Sequence, residues 1–100
     1  METKTREQEL FEHIHRGNDA KQLLENPLLK DAFISVRESI HQKWSESPAR
    51  DTEGREKLWQ MLSLLKMLEN HIKGFIETGE QSDIIMKDES KRRKLFSNPF

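Results

Sequence analysis

The four histidines have the widest chemical range in this sequence, because imidazole binds metals and transfers protons near neutral pH. His13 and His15 are two residues apart, so on a helix their side chains diverge by about 200°. A helical metal pair needs a spacing of three or four residues. His41 and His71 lie in separate predicted helices, at positions that the expected helix register keeps apart. The spacing therefore predicts neither a metal site nor a cofactor.

Serines are the candidate nucleophiles, and nucleophilic catalysis also needs a base and an orienting group in a concave site. Ser35, Ser39 and Ser63 instead lie along amphipathic helical patterns, where serine commonly fills a helix surface. The chain has no cysteine, which excludes thiol catalysis and thiolate zinc sites. Its four glycines punctuate helical patterns and form no phosphate-binding loop. We therefore expect a protein that is not an enzyme.

A run of four cations near the carboxyl end is the one localised charge signal: Lys91, Arg92, Arg93 and Lys94. Adjacent cations can bind phosphates, and the aromatic residue two positions later could stack on a base. Residues 79–100 nevertheless hold five basic and four acidic residues. A solvated tail is the favoured interpretation, with nucleic-acid binding and docking on an acidic protein as alternatives.

The segment between Trp44 and Trp59 is the most distinctive stretch of the chain. Its Ser-Pro and Asp-Thr pairs indicate a capped connection between two helices, closed by the tryptophans. Arg50 and Arg55 lie in the same segment, and tryptophan and arginine often dominate protein interfaces. Trp44, Arg50 and Arg55 are thus a candidate loop-end contact patch, beside the purely structural interpretation.

Apolar spacing predicts that every element positioning these residues is a helix. Short N-terminal helices are expected over residues 4–25, with a stop at Gly17. The Asn-Pro pair at 26–27 fits the cap and first turn of a second helix, which continues to about Glu46. The sequence shows no internal repeat and no alternating strand pattern.

The longest helix is predicted from about Asp51 to Thr78, with Gly79 as its left-handed stop. Its apolar residues are spaced alternately by three and four, as in a heptad seam. Leu62, Leu64 and Ile76 widen this seam to an apolar arc of roughly 160°, more than the roughly 100° that one neighbouring helix covers. The predicted protein-contact or oligomer face on this helix comprises Leu58, Trp59, Met61, Leu65, Leu68, Ile72 and Phe75.

The short connection between the two long helices predicts a long antiparallel two-helix hairpin over residues 27–78. Such a hairpin buries too little apolar surface for a stable monomer, so an N-terminal helix or a second copy must complete it. The expected organisation is a single all-α domain over residues 1–79, with the N-terminal helices packed on the hairpin. Residues 80–100 are expected to form a short helix and a flexible basic tail.

Composition agrees with a thin core. The 100 residues are 35% charged and 33% hydrophobic, whereas typical domains have about 25% and 45–50%. The net charge of −1 excludes a global electrostatic grip on nucleic acid or anionic lipid. No apolar stretch resembles a signal peptide or reaches the about 20 residues that span a bilayer, so we expect a cytoplasmic protein without a membrane partner.

Three segments together resemble a known group of proteins: LLENPLLKDAF, SPARDTEGREKLW after a tryptophan, and a Leu-rich helix that ends in IETGE. The set covers about residues 22–80 and is similar to small, mostly uncharacterised helical proteins encoded by tailed bacteriophages and prophages. The resemblance implies an accessory or assembly protein, in the host cytoplasm or the virion. It supplies no catalytic residues and does not extend to the basic run.

The leading prediction is a non-enzymatic protein that acts through protein–protein contacts of its hairpin, as a homo-oligomer or with another phage or host protein. The wide apolar arc of the longest helix is the observation that supports this prediction. The alternative is a DNA-packaging or regulatory protein that contacts nucleic acid through residues 91–94.

Overall fold

A computed structural model describes residues 3–97 of the chain. All regular secondary structure in these residues is α-helical. Helix α1 spans Arg6–Glu25, α2 spans Pro27–Glu46 and α3 spans Thr52–Ser97. These residues include no strand, which confirms the all-α prediction.

A capping box begins α1, a signal that apolar spacing alone did not detect. The Thr5 hydroxyl accepts a hydrogen bond from the Gln8 backbone N–H at 3.2 Å. The Gln8 side-chain oxygen in turn accepts one from the Thr5 backbone N–H at 2.9 Å. Two backbone donors that the helix leaves without a partner are thereby satisfied.

Helix α1 continues through Gly17, so the predicted helix stop there is wrong. A stop of that kind requires a left-handed residue, and no glycine within residues 3–97 has a positive φ. Gly17 is instead a buried helical residue. Glycine costs a helix about 1 kcal/mol relative to alanine, and here a close contact with α3 offsets that cost.

Helix α2 has the bounds that its sequence predicts. Asn26 has an extended backbone, with φ −66° and ψ 121°, and its side-chain oxygen accepts hydrogen bonds from the backbone N–H groups of Leu28 and Leu29 at 2.9 and 3.1 Å. Pro27 occupies the first turn, where its missing N–H leaves no bond unmade. Local chemistry therefore fixes the start of α2.

Replacing Asn26 with alanine is expected to destabilise the protein by about 1 kcal/mol, because two N–H groups of α2 lose their acceptor. Thermal or urea denaturation followed by circular dichroism measures the change. Asn70→Ala is the matched control, since Asn70 is an exposed residue inside α3 and alanine favours a helix interior. Equal losses in the two variants would contradict the capping role.

Hydrogen bonds to backbone groups of nearby residues stabilise the connection between α2 and α3. Ser47 ends α2 with an extended backbone, and its N–H donates to the Trp44 carbonyl at 3.2 Å. The Asp51 carboxylate caps α3 by accepting from the Gly54 N–H at 3.0 Å. The predicted start of the longest helix is confirmed, with Asp51 as the cap.

The predicted end of that helix is wrong, because α3 runs for 46 residues to Ser97 and Gly79 lies inside it. Residues 80–97 are therefore part of one long helix and form neither a separate short helix nor a flexible tail. Residues 98–100, at the end of the predicted tail, lie outside the described residues. Gly79 is buried against α1, and this contact supports the helix where a stop was expected.

Ion pairs one turn apart support the continued helix. Lys87 lies 2.9 Å from Asp83, and Arg92 lies 3.4 Å from Asp88. Such pairs each stabilise a helix by about 0.2–0.5 kcal/mol. These pairs add to the contact with α1 in stabilising the part of α3 that follows Gly79.

The chain forms two compact units, each with its own small core. The first comprises residues 1–22 and 73–100, and the second comprises residues 23–72. Among the residues described, the buried hydrophobic side chains are Leu10 and Ala20 in the first unit and Ile40 in the second. Cores this small agree with the thin core that composition indicates.

Candidate protein-contact surfaces

Two glycines allow α1 and α3 to approach closely in the first unit. A Cβ atom added to Gly17 would lie 2.9 Å from the Phe75 carbonyl oxygen and 3.0 Å from Gly79 Cα. One added to Gly79 would lie 2.9 Å from the His13 carbonyl oxygen and 3.1 Å from Gly17 Cα. These distances are shorter than van der Waals contact, so the crossing requires glycine on both helices.

Small residues continue this contact by one turn on each helix. Ala20 follows Gly17 by three residues and Ser82 follows Gly79 by three residues, and both side chains are buried. Residues three apart lie on the same helix face. At this point the contact between the two helices is therefore formed by small residues, which are buried within the first unit.

Ion pairs connect the N-terminal turn of α1 with the C-terminal turns of α3. Arg6 lies 3.1 Å from Glu89, and Glu7 lies 3.9 Å from Arg93. Because early residues of α1 meet late residues of α3, the two segments run in opposite directions. Exposed pairs of this kind each contribute about 0–1 kcal/mol, so they orient the helices more than they stabilise them.

The predicted phosphate-binding run lies on the exposed last turns of α3. Consecutive helical residues are rotated by about 100°, so Lys91, Arg92, Arg93 and Lys94 surround the helix axis. Arg92 and Arg93 also lie beside the carboxylates of Asp88 and Glu7. This distribution favours phosphate binding less than a one-sided patch of cations would.

Two contacts link α2 to α3 in the second unit. Arg37 forms an ion pair with Glu69. The Arg55 guanidinium stacks over the Trp44 ring, 4.7 Å from its centroid. Arg37 precedes Trp44 on α2, whereas Glu69 follows Arg55 on α3.

The loop-end patch is built around Arg55. Its Nε donates to the Ser47 hydroxyl and its Nη2 donates to the Ser47 carbonyl, both at 3.0 Å. The structure thus brings Arg55 and Trp44 together and leaves Arg50 exposed. Arg55 therefore contributes to the structure of the connection, while Trp44 and Arg50 remain exposed.

A cleft of about 210 Å³ lies beside this patch; its lining residues are Ile40, His41, Trp44, Leu58, Trp59 and Leu62. The lining is apolar apart from one imidazole, which leaves no second group to act as acid, base or nucleophile. Within residues 3–97 there is no cluster of three or more potential metal ligands. The cleft therefore suits an apolar group.

The predicted contact face of α3 divides into an inner and an outer part. Leu58, Leu65 and Ile72 are half-buried, on the side of α3 that also carries Glu69. All four remaining predicted residues are exposed: Trp59, Met61, Leu68 and Phe75. The Arg16 guanidinium lies 5.6 Å from the Phe75 ring centroid and covers part of that residue.

Three exposed residues of α3 form an outer row: Met61, Leu64 and Leu68. Their exposed fractions range from 50% to 62%. Spacings of three and four residues place them along one stripe of the helix. Leu64 is one of the residues predicted to widen the apolar arc, although the predicted contact face did not include it.

The Glu12 carboxylate is the group with a shifted pKa in the described part of the chain. Its hydrogen bond with Lys4, at 2.9 Å, lowers the pKa of Glu12. A lowered pKa stabilises the fold above the unfolded-state pKa, and this contribution is lost as the pH falls through the lowered value. Because both side chains are exposed, solvent screens the pair and its effect on stability is small.

Comparisons with protein-family models, curated proteins and solved structures gave no match. Within residues 3–97, no helix combines the length and apolar character needed to cross a bilayer.

Proposed function

We propose that this chain is a non-enzymatic protein that self-associates through an antiparallel hairpin of α2 and the N-terminal half of α3. The outer row of α3, Met61, Leu64 and Leu68, carries the proposal, because three large apolar side chains in line are exposed to solvent. Isolated exposed hydrophobic residues are ordinary, whereas a continuous apolar stripe is typical of a contact surface.

The contacts between α2 and α3 support the antiparallel geometry. Arg37 with Glu69 and Trp44 with Arg55 pair earlier residues of α2 with later residues of α3. On helical wheels of such a hairpin, the Arg37–Glu69 pair lies toward one side. Val36, which is also exposed, lies on the opposite side together with the outer row of α3.

A second copy of the same face is the proposed partner. Full burial of a leucine, methionine or valine side chain is favourable by about 1.5–3 kcal/mol, and a twofold contact uses each residue twice. The residues of this face are uncharged, and Lys57, which lies one turn before Met61 on the same stripe, is beside Glu53, so two copies can meet without burying an unpaired charge. Self-association also supplies the apolar burial that these small cores lack.

The resemblance to phage-encoded proteins suggests a biological role for this self-association. We place the chain among phage or prophage accessory and assembly proteins, which act in the host cytoplasm or in the virion. Binding of nucleic acid through residues 91–94 is the less favoured proposal, because those cations surround the helix and two lie beside carboxylates.

Leu68→Glu tests the proposed function. Placing a carboxylate in the apolar contact is expected to abolish association through the hairpin and so to lower the mass at micromolar concentration, because burying an unpaired charge costs several kcal/mol. Light scattering coupled to size-exclusion chromatography measures the mass, and circular dichroism verifies the helix content. Lys66→Glu is the control, because Lys66 is an exposed residue of the same helix on another side.

A monomeric wild-type chain would contradict the proposal, as would equal masses for the wild type and Leu68→Glu. Leu65→Glu separates association from folding. Leu65 is half-buried on the inner side, so a charge there is expected to reduce the helix content itself.

A further inference from the structure

We infer that the C-terminal part of α3 carries a second self-association surface, on which two copies pack antiparallel around a twofold axis. This outer C-terminal face contains four apolar residues and one pair of opposite charges; its members are Ile84, Ile85, Asp88, Arg92, Leu95 and Phe96. All six are exposed, and Leu95 and Phe96 reach exposed fractions of 74% and 86%. The occupant that we propose is a second copy of this chain.

The six residues share one side of the helix. At about 100° per residue they lie within an arc of roughly 120°, and its centre falls between Asp88 and Arg92. The residues that meet α1, including Gly79 and Glu89, lie on another side. The outer C-terminal face is therefore available within the first unit, where α1 covers a different part of α3.

When two copies of this face run in opposite directions, their residues are complementary. In an antiparallel pair centred on Ser90, Asp88 of one copy lies level with Arg92 of the other, and this contact occurs twice. Ser90 faces away from the axis, since it is rotated by about 180° from the centre of the face. The charge pattern therefore selects the antiparallel arrangement, because a parallel pair in register would place like charges opposite each other.

The apolar residues fit the same register. Ile84 of one copy lies beside Leu95 of the other, and Ile85 lies beside Phe96. The two ends of the contact are thus apolar and its centre is charged. Within one copy Asp88 and Arg92 already lie 3.4 Å apart, so dimerisation joins two such pairs into a four-membered charge network.

This surface deepens the proposed function and rests on it for its biological meaning. A twofold contact on the hairpin and a second twofold contact on the C-terminal part of α3 link copies in alternation, because each contact uses a different surface. Such a chain of copies grows beyond a dimer, as expected of an assembly protein.

Complementary charge reversal tests the C-terminal contact. Asp88→Arg places two arginines opposite two arginines, and Arg92→Glu places acidic residues opposite acidic residues. Each variant alone is expected to weaken this contact by more than about tenfold. Their equimolar mixture is expected to restore it to within about threefold of the parent, because every facing pair again has opposite signs. The ion pair within each copy stays broken in the mixture, so recovery reports contact between copies.

The measurement is made by sedimentation equilibrium in two backgrounds, wild type and Leu68→Glu. The Leu68→Glu background removes the proposed hairpin contact, so the mass then reports the C-terminal contact alone. If Leu68→Glu leaves the mass unchanged while the mixture recovers, the hairpin proposal fails and the C-terminal contact stands. Lys94→Glu is the control, because it changes the charge as Arg92→Glu does but on another side of the helix.

Disulfide trapping provides a second test, since the chain has no cysteine of its own. Asp88→Cys copies mixed with Arg92→Cys copies are expected to form a mixed disulfide preferentially over either homodisulfide. A mixture of the charge variants that associates no better than each alone would overturn the inference. A monomeric parent in the Leu68→Glu background would overturn it as well, as would disulfides formed at random.

Discussion

Gly79→Leu is expected to lower the free energy of unfolding by about 3 kcal/mol, one of the two largest effects that we predict. The added side chain would begin 2.9 Å from the His13 carbonyl oxygen and 3.1 Å from Gly17 Cα. Both neighbours are backbone atoms, so relief requires the two helices to separate. A loss of this size is a large fraction of the about 5–15 kcal/mol that stabilises a typical domain.

Gly79→Ala is a finer form of the same test, because two effects of opposite sign compete. Alanine favours a helix over glycine by about 1 kcal/mol, whereas overpacking costs about 1–3 kcal/mol. We expect overpacking to dominate, with a net loss of about 1–2 kcal/mol. Gly74→Ala is the control: its Cβ would meet no atom within 4 Å, so that variant is expected to gain stability.

Urea denaturation of these variants, followed by circular dichroism, measures the free energies. A gain in stability for Gly79→Ala equal to that for Gly74→Ala would show that α1 and α3 do not approach closely at this point. The double variant Gly17→Ala/Gly79→Ala adds a further check. Because the two glycines contact each other, the two losses should not be additive.

Ile40→Ala is expected to destabilise the protein by about 3 kcal/mol, within the 2–5 kcal/mol usual for this truncation in a core. Ile40 is the buried hydrophobic residue of the second unit, with 5% of its surface exposed. Truncation removes transfer free energy and leaves a cavity between α2 and α3. In so small a core, few neighbouring side chains can move to fill it.

Ile34→Ala is the matched control for that variant. Ile34 is the same residue type on the same helix, but 48% of its surface is exposed. The change there is expected to stay within about 0.5 kcal/mol, as is usual for surface substitutions. Thermal denaturation compares the two variants, and similar losses would contradict the assignment of Ile40 to the core.

Local chemistry explains which elements the sequence predicts well. The start of α2 follows from Asn26 and Pro27, and the start of α3 follows from Asp51. Each boundary depends on hydrogen bonds between residues two or three positions apart. The Thr5–Gln8 capping box is equally local, and the Thr-x-x-Gln spacing could have identified it.

The glycines show where local inference fails. A glycine after a helical run predicts a stop when only neighbouring residues are considered. Gly17 and Gly79 are 62 positions apart in the numbering, and each provides space for the other's helix. No rule that considers one segment at a time can distinguish this use of glycine from a stop.

The contact surfaces show a similar limit. The heptad spacing of α3 predicts an apolar face, but spacing alone did not separate its inner side from its outer row. The ion pair between Arg37 and Glu69 and the burial of Ile40 identify the inner side. Leu64 then emerges as an outer residue through its exposure, a property of the folded chain.

By itself, the sequence determined the helical class, the caps of α2 and α3 and the wide apolar arc of the longest helix, because these depend on residue type and short-range spacing. Only the tertiary structure decided that α1 and α3 continue through their glycines and which apolar residues are exposed. The physical reason is that both outcomes depend on atoms brought together from distant parts of the chain. Close packing of one helix against another determines where a missing Cβ atom is required and which apolar side chains stay in water.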